Sequence, residues 1–232
     1  MICANYCLTV REVADKVGIS IGSCHQIFTE KLHICHVSAE FVLRLLTDNQ
    51  KENHLEISQE LLANTNGNEN FLKNIITGDK TWIYGYDAET KMQLWQWMGK
   101  GSPQPKKAWV SQSRIKVMLV VFFDWKGIVH HEFVPPGQLV NKELYQKVLV
   151  HLRDCMHSKR PEFWENQTWM LHHDNAPAHA SLLIRSYLAK QLTSFVVPHP
   201  PYSLDLAPAD FFLFSKLKIT LKGCHFRTIE EI

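Results

Sequence analysis

An α/β fold, a mixed sheet with flanking helices behind a small all-α helix-turn-helix segment, is what this sequence predicts. Three observations carry the prediction. Helical periodicities with capping signatures occupy residues 8 to 63, short runs rich in β-branched and aromatic residues begin at Asn74, and helical and strand patterns alternate after Asn141.

The bulk composition agrees. A chain of 232 residues is long enough for one large domain, or for a medium domain with a small companion. With 45% hydrophobic, 21% charged and 11% aromatic residues it is of the globular class, which excludes a disordered or fibrous chain. A formal charge of +2 leans basic too weakly to name a partner. Six scattered cysteines without a CxxC pair read as reduced thiols of an intracellular protein, and Cys24, His25, His33, Cys35 and His36 lack a standard zinc-ligand interval. No secretory signal opens the chain. The longest apolar run, "VMLVVFF" (117 to 123), is too short to span a bilayer, so no membrane partner is expected and cytosol or nucleus remains.

The elements follow in order. In "LTVREVADKVGIS", Thr9 and Glu12 form a capping box, and Val10, Val13, Ala14 and Val17 recur at helical spacing. Gly18 supplies the left-handed stop, Ser20 caps a second helix, and Ile27, Phe28 and Leu32 are its expected apolar face. Its outward residues, among them Gly22, Ser23, His25, Gln26 and Lys31, are small or polar and suit a major groove. A plain helical hairpin fits the same pattern. Residues 38 to 63 read as a further helical stretch, with Thr47 and Gln50 as a second capping box. The polar "NTNGNEN" (64 to 70) reads as a loop and marks a domain boundary.

Strands are then expected at 74 to 86, 92 to 98, 116 to 125 and 127 to 134, the last two joined by the hairpin turn "DWKG". A capped helix over 141 to 157, a strand at 168 to 173, a helix at 179 to 191, a strand at 194 to 198 and a helix after Pro208 complete the pattern.

Isolated acids at strand ends suit phosphodiester chemistry, in which two Mg²⁺ ions about 3.5 to 4 Å apart activate the attacking oxygen and stabilise the leaving one. Asp79 in "ITGDKTW", Asp174 in "MLHHDNAPAH" and Asp210 in "YSLDLAPADFFLF" have such positions, although each taken singly reads first as an ordinary cap or surface acid. Between Lys91 and Lys116 the basic residues Lys91, Lys100, Lys106, Lys107, Arg114 and Lys116 alternate with Trp95, Trp97 and Trp109, without an acid. That stripe suits phosphates and unpaired bases, or else a solvated hairpin with core tryptophans.

Together, "TGDKTWIY", "HHDNAPAH" and "PPYSLDLAPADFFLF" resemble, in order and spacing, the catalytic motifs of mariner-family transposases of the Tc1/mariner superfamily. "LTVREVADKVGIS" is similar to the second helix-turn-helix of that family's bipartite DNA-binding domain, and "FVLRLLTDNQK" to its interdomain linker. The same transposase module also occurs fused to a histone-lysine methyltransferase.

The resemblance implies a ribonuclease H-like fold. It also implies a partial DNA-binding domain over 1–37, linker helices and loop over 38–70, and a catalytic domain over 71–232. Asp79, Asp174 and Asp210 match the catalytic, metal-binding acids, Asn175 and His179 shape the site, and Asp205 is a nearby acid that is not a ligand. The implied cofactor is Mg²⁺, with Mn²⁺ able to substitute. The implied partners are double-stranded DNA, as transposon terminal inverted repeats and target DNA, and a second copy of the chain. The implied chemistry is hydrolysis at transposon ends by metal-activated water, followed by attack of the freed 3′-hydroxyl on target DNA, in the nucleus.

Departures temper that reading. The 35 residues between Asp174 and Asp210 are one more than the family spacing. Leu204 and Leu43 replace expected prolines, and Lys80 stands where an acid usually follows the first aspartate. The chain opens inside the DNA-binding region and stops soon after the third acid. A truncated, partly degenerate copy is expected, and its alternative role is that of a catalytically inactive DNA-binding or protein-interaction remnant.

Overall fold

A computed structural model of the chain describes residues 8–35, 37–38, 44–99, 101–166, 168–191 and 195–232. Lys100, Leu43, His36, Cys3 and Cys7 lie outside the described residues. The chain divides into two compact units between Leu45 and Leu46.

In the first unit, α1 (Val10–Val17) starts at the Thr9 capping box: Glu12 N donates to Thr9 Oγ1 at 3.2 Å and Thr9 N to Glu12 Oε2 at 2.7 Å. Gly18 ends it at φ 75°, a left-handed conformation that costs glycine little. Ser20 accepts from Ser23 N at 3.0 Å and opens α2 (Ile21–Gln26), which runs on as a wide helical turn over Ile27–Lys31. Val13, Ala14 and Cys24 form a small core with Leu8, Val10 and Phe28 against it. The apolar face expected of the second helix is therefore reduced to Cys24 and Phe28, since Ile27 and Leu32 are exposed. Buried Cys24 and exposed Cys35 make no ligand set.

The second unit begins with α3 (Asp48–Gly67), capped by Thr47 and Gln50 as expected. Two expectations fail here. The described residues 37–38 and 44–47 are not helical, and the helix continues through Asn64–Gly67, where a loop was expected. Thr65 Oγ1 donates to the carbonyl of Leu61 at 2.8 Å, so a residue type that favours turns instead bonds within the helix.

A five-stranded mixed sheet follows, made of β1 (Ile75–Tyr84), β2 (Lys116–Asp124), β3 (Gly127–Val134), β4 (Met170–His172) and β5 (Phe195–Val197) in the order β3-β2-β1-β4-β5. The first three strands are antiparallel, and β4 runs parallel to both β1 and β5. The helices α4 (Lys142–Lys159), α5 (Pro161–Asn166) and α6 (Leu182–Gln191) build a large core on one side with Ile76, Val120, Phe122, Tyr145 and Leu149. A helical segment at Ala209–Phe214, continued by α7 (Ser215–Leu221), packs with Ile83, Leu119 and Val121 in a second core. Strand alternation thus feeds two helical layers, as a central sheet requires.

Four further corrections arise. Residues 92 to 98 form no strand: Thr90 and Gln93 close a capped turn there instead, with Thr90 N to Gln93 Oε1 at 2.8 Å and Gln93 N to Thr90 Oγ1 at 3.2 Å. The tryptophans that suggested a strand or a core are solvent-facing, with Trp97 fully exposed and Trp95 and Trp109 nearly so. Helix α5 was not foreseen. Helix α6 begins three residues later than expected, because Ser181 Oγ accepts from Ile184 N at 3.4 Å and acts as the cap. Among the described residues no helix is long and apolar enough to cross a membrane.

Candidate active site

Strand register brings the first two acids together. Thr77 on β1 pairs in parallel with His172 on β4, and two residues further along each chain come Asp79 and Asp174. Asp79 lies mid-strand, opposite Val121 of β2. Its neighbour Gly78 leaves room for Phe122, whose ring lies 2.1 Å from where a glycine-replacing Cβ would stand. Asp174 begins the turn after β4, where its Oδ1 accepts from Ala176 N at 3.2 Å. Asp210 occupies the first turn of the segment behind Pro208, which packs on β1.

The electrostatics of these carboxylates are coupled. Burial pushes the Asp79 carboxyl up to about 6, and the charges of Asp174 and Asp210 push the same way. Burial also raises Asp210. Burial raises Asp174 too, but the His179 hydrogen bond and the charges of His179 and Lys80 outweigh it and hold Asp174 well below the usual carboxylate range. Lys80 Nζ lies 3.8 Å from Asp79 Oδ1 and 3.2 Å from Asp174 Oδ2. His179 Nδ1 lies 2.5 Å from the other oxygen of Asp174. As a set the three carboxylates do not fall within 4.8 Å of one another.

The expected supporting residues divide. His179 touches Asp174, whereas the Asn175 amide donates to the carbonyl of His199 and leaves the acids alone. Asp205 accepts from Ser203 Oγ at 2.5 Å.

A buried polar cluster behind Asp174 escaped the sequence reading. Tyr145 OH meets His173 Nδ1 at 2.8 Å, Tyr145 stacks on His179 at 3.8 Å, and His172 bridges Thr77 Oγ1 at 3.0 Å and His199 Nδ1 at 3.2 Å. Burial lowers His172 to about 4 and His173 to about 3, so both rings are neutral at neutral pH. The paired histidines were visible in "LHHDN", but their partners come from α4, β1 and residue 199. No local spacing announces them.

Of the candidate DNA-contacting residues, Ser23, His25, Gln26 and Lys31 are exposed in the first unit. Lys106, Lys107, Arg114 and Lys116 are exposed in the second. Lys107 is paired with Glu89, and Lys116 Nζ sits 4.3 Å above the Trp82 ring.

A family profile described as "Transposase (partial DDE domain)" matches residues 87–166, the stretch between the first two acids. The chain is 30% identical over 225 residues to the Mariner Mos1 transposase of Drosophila mauritiana, covering 97% of itself and 64% of that protein. A solved structure of the catalytic domain of Mos1 mariner transposase matches at 30% identity and a TM-score of 0.65, over 82% of this chain and 80% of that one. The chain belongs to the mariner family of transposases.

The mariner sheet order described above is accordingly that of a ribonuclease H-like domain. The crystal structure of the Mos1 mariner paired end complex with Mn superposes at a TM-score of 0.80 and 28% identity, over 99% of this chain and 65% of that one. The human histone-lysine N-methyltransferase SETMAR is 28% identical over 226 residues, which are 96% of this chain and 32% of SETMAR. This mariner chain therefore spans just under two thirds of Mos1 and about a third of SETMAR.

Proposed function

We propose that this chain binds double-stranded DNA at transposon ends and cleaves and joins it with a divalent cation held by Asp79, Asp174 and Asp210. One observation carries the reading: the β1–β4 register sets Asp79 and Asp174 side by side, with Lys80 Nζ 3.8 Å from the first and 3.2 Å from the second. Partly buried carboxylates that share one ammonium call for a cation. Lys80 already places one positive charge between two of them, so the donor set fits a hard divalent ion. Mg²⁺ is the proposed ion and Mn²⁺ its substitute; Mos1 complexes were solved with either metal. Such an ion supplies Lewis-acid activation of the attacking oxygen and stabilises the leaving one.

The residues of the chain supply the rest. His179 fixes the orientation of Asp174 through its short contact, and the stacked ring of Tyr145 keeps His179 in place. Neutral His172 and His173 add no competing positive charge beside Asp174. Lys80 has to withdraw for an ion to take both carboxylates. The exposed Ser23, His25, Gln26 and Lys31 are proposed to contact DNA bases and phosphates, and Lys100, Lys106, Lys107, Arg114 and Lys116 its backbone. Work as a homodimer, action on target DNA and nuclear location are proposed from family membership.

Lys80 also favours a second reading, a catalytically inactive DNA-binding remnant in which the ammonium holds the cation position. Incubating the chain with supercoiled plasmid and Mg²⁺ or Mn²⁺, beside Asp174→Asn, separates the two. Metal-dependent nicking that vanishes in the variant is expected. Equal products from two folded proteins, with salt-sensitive DNA binding kept, would leave the remnant standing.

A further inference from the structure

A second set of ligand-type side chains lies away from the three aspartates, where edge strand β3 meets α4. Glu132 Oε2 is 3.2 Å from His130 Nε2 and 2.8 Å from His151 Nδ1. These three atoms, one from each residue, all lie within 4.8 Å of one another.

The backbone explains the convergence. His130 and Glu132 are two apart on β3 and point to one face. The register shift between Phe122 and Phe123, which pair with His130 and Ile128, makes Val129 an extra residue in the strand. That bulge lets Val129 enter the core while His130 still turns toward α4. His151 lies on the turn of α4 that faces Glu132. Cys155, one turn further on the same side, puts Sγ 3.4 Å from His130 Nδ1, on the ring edge away from Glu132, and so holds the imidazole with its Nε2 forward.

We infer that His130, Glu132 and His151 form a binding site for a borderline transition-metal ion, Zn²⁺ by preference, which clips β3 to α4. Two imidazoles and one carboxylate are a donor set for Zn²⁺ rather than for Mg²⁺, which takes oxygen. Ligands at roughly 2.0 to 2.1 Å from a tetrahedral ion stand about 3.4 Å apart, close to the spacings already present around Glu132 Oε2. The ligands are thus gathered before the ion arrives. His151 has a side chain 57% exposed, which gives the ion a path in from solvent and leaves room for water as the fourth ligand. Nothing in this site depends on the aspartates, and it stands whether or not they cleave DNA.

The test is Zn²⁺ binding by the chelator-stripped full chain, followed by calorimetry and thermal melting. One Zn²⁺ per chain is expected at this site, with the melting temperature rising by roughly 5–10 °C at a hundredfold excess over Kd. His151→Ala, at a solvent-facing position that does not threaten folding, is expected to lose the shift, and His130→Ala likewise. Asp79→Asn and Asp174→Asn are expected to keep it. Co²⁺ is expected to give the visible absorption of a four-coordinate site. Absence of a Zn²⁺ shift, a shift that survives both histidine substitutions, or one lost only in the aspartate variants would overturn the site.

Discussion

Lys80 is the residue on which the proposed activity turns. Its ammonium sits within 4 Å of two of the three acids, on a side chain only 26% exposed, where its charge is poorly screened. Lys80→Ala is expected to tighten Mn²⁺ binding about tenfold, since each such step is worth about 1.4 kcal/mol. Unchanged affinity by titration would show that the ammonium does not compete.

Asp79 makes a pH prediction whose sign follows from its raised value. The protonated form is favoured in the fold, so this stability is fully present below pH 3.8 and is lost as pH rises through about 6. His172 and His173 act oppositely: their lowered values cost stability as pH falls from 6.5 toward about 4 and about 3. The difference between wild type and Asp79→Asn therefore isolates the aspartate. Without metal, urea unfolding should show Asp79→Asn gaining, relative to wild type, on the order of 1–3 kcal/mol between pH 4 and pH 7.5. No change in that difference would remove the buried-carboxylate argument.

At the scale of elements, β1 carries the site because Gly78 admits the Phe122 ring from β2. Gly78→Ala drives a Cβ into that ring and should cost about 1–3 kcal/mol in urea unfolding. A neutral result would mean that the strands are more yielding than their register implies. The elements legible in the sequence were those with local signatures: the Thr9 and Thr47 capping boxes, the Gly18 stop, the "DWKG" turn and the β-branched runs of β1 to β3. Residues 92 to 98 misled because alternating aromatics signal a strand only where a partner strand covers them, and among the described residues none does. Asn64–Gly67 misled in the other direction, since polar residues that favour turns still extend a helix already nucleated upstream. The three candidate acids stand in long contiguous motifs, whereas the Tyr145, His173 and His179 stack and the β3–α4 histidines have no local signature. Those groups meet only through tertiary packing.

At the scale of the molecule, the two units carry separate parts of the proposed function. His25→Ala or Gln26→Ala should reduce discrimination between DNA sequences. Lys31→Ala should weaken binding to all sequences and lower the slope of log affinity against log salt by about 1. Equal loss on every sequence from all three substitutions, measured by fluorescence anisotropy at several salt concentrations, would argue against base reading by α2.

At the centre of the proposed function stands a cation held by Asp79 with Asp174 and Asp210. The most direct measurement is Mn²⁺ binding followed by electron paramagnetic resonance for wild type, Asp79→Asn and the double variant His130→Ala/His151→Ala. The account predicts that Asp79→Asn loses Mn²⁺ from the aspartate site while the double histidine variant keeps it. Mn²⁺ binding that ignores Asp79→Asn would contradict it.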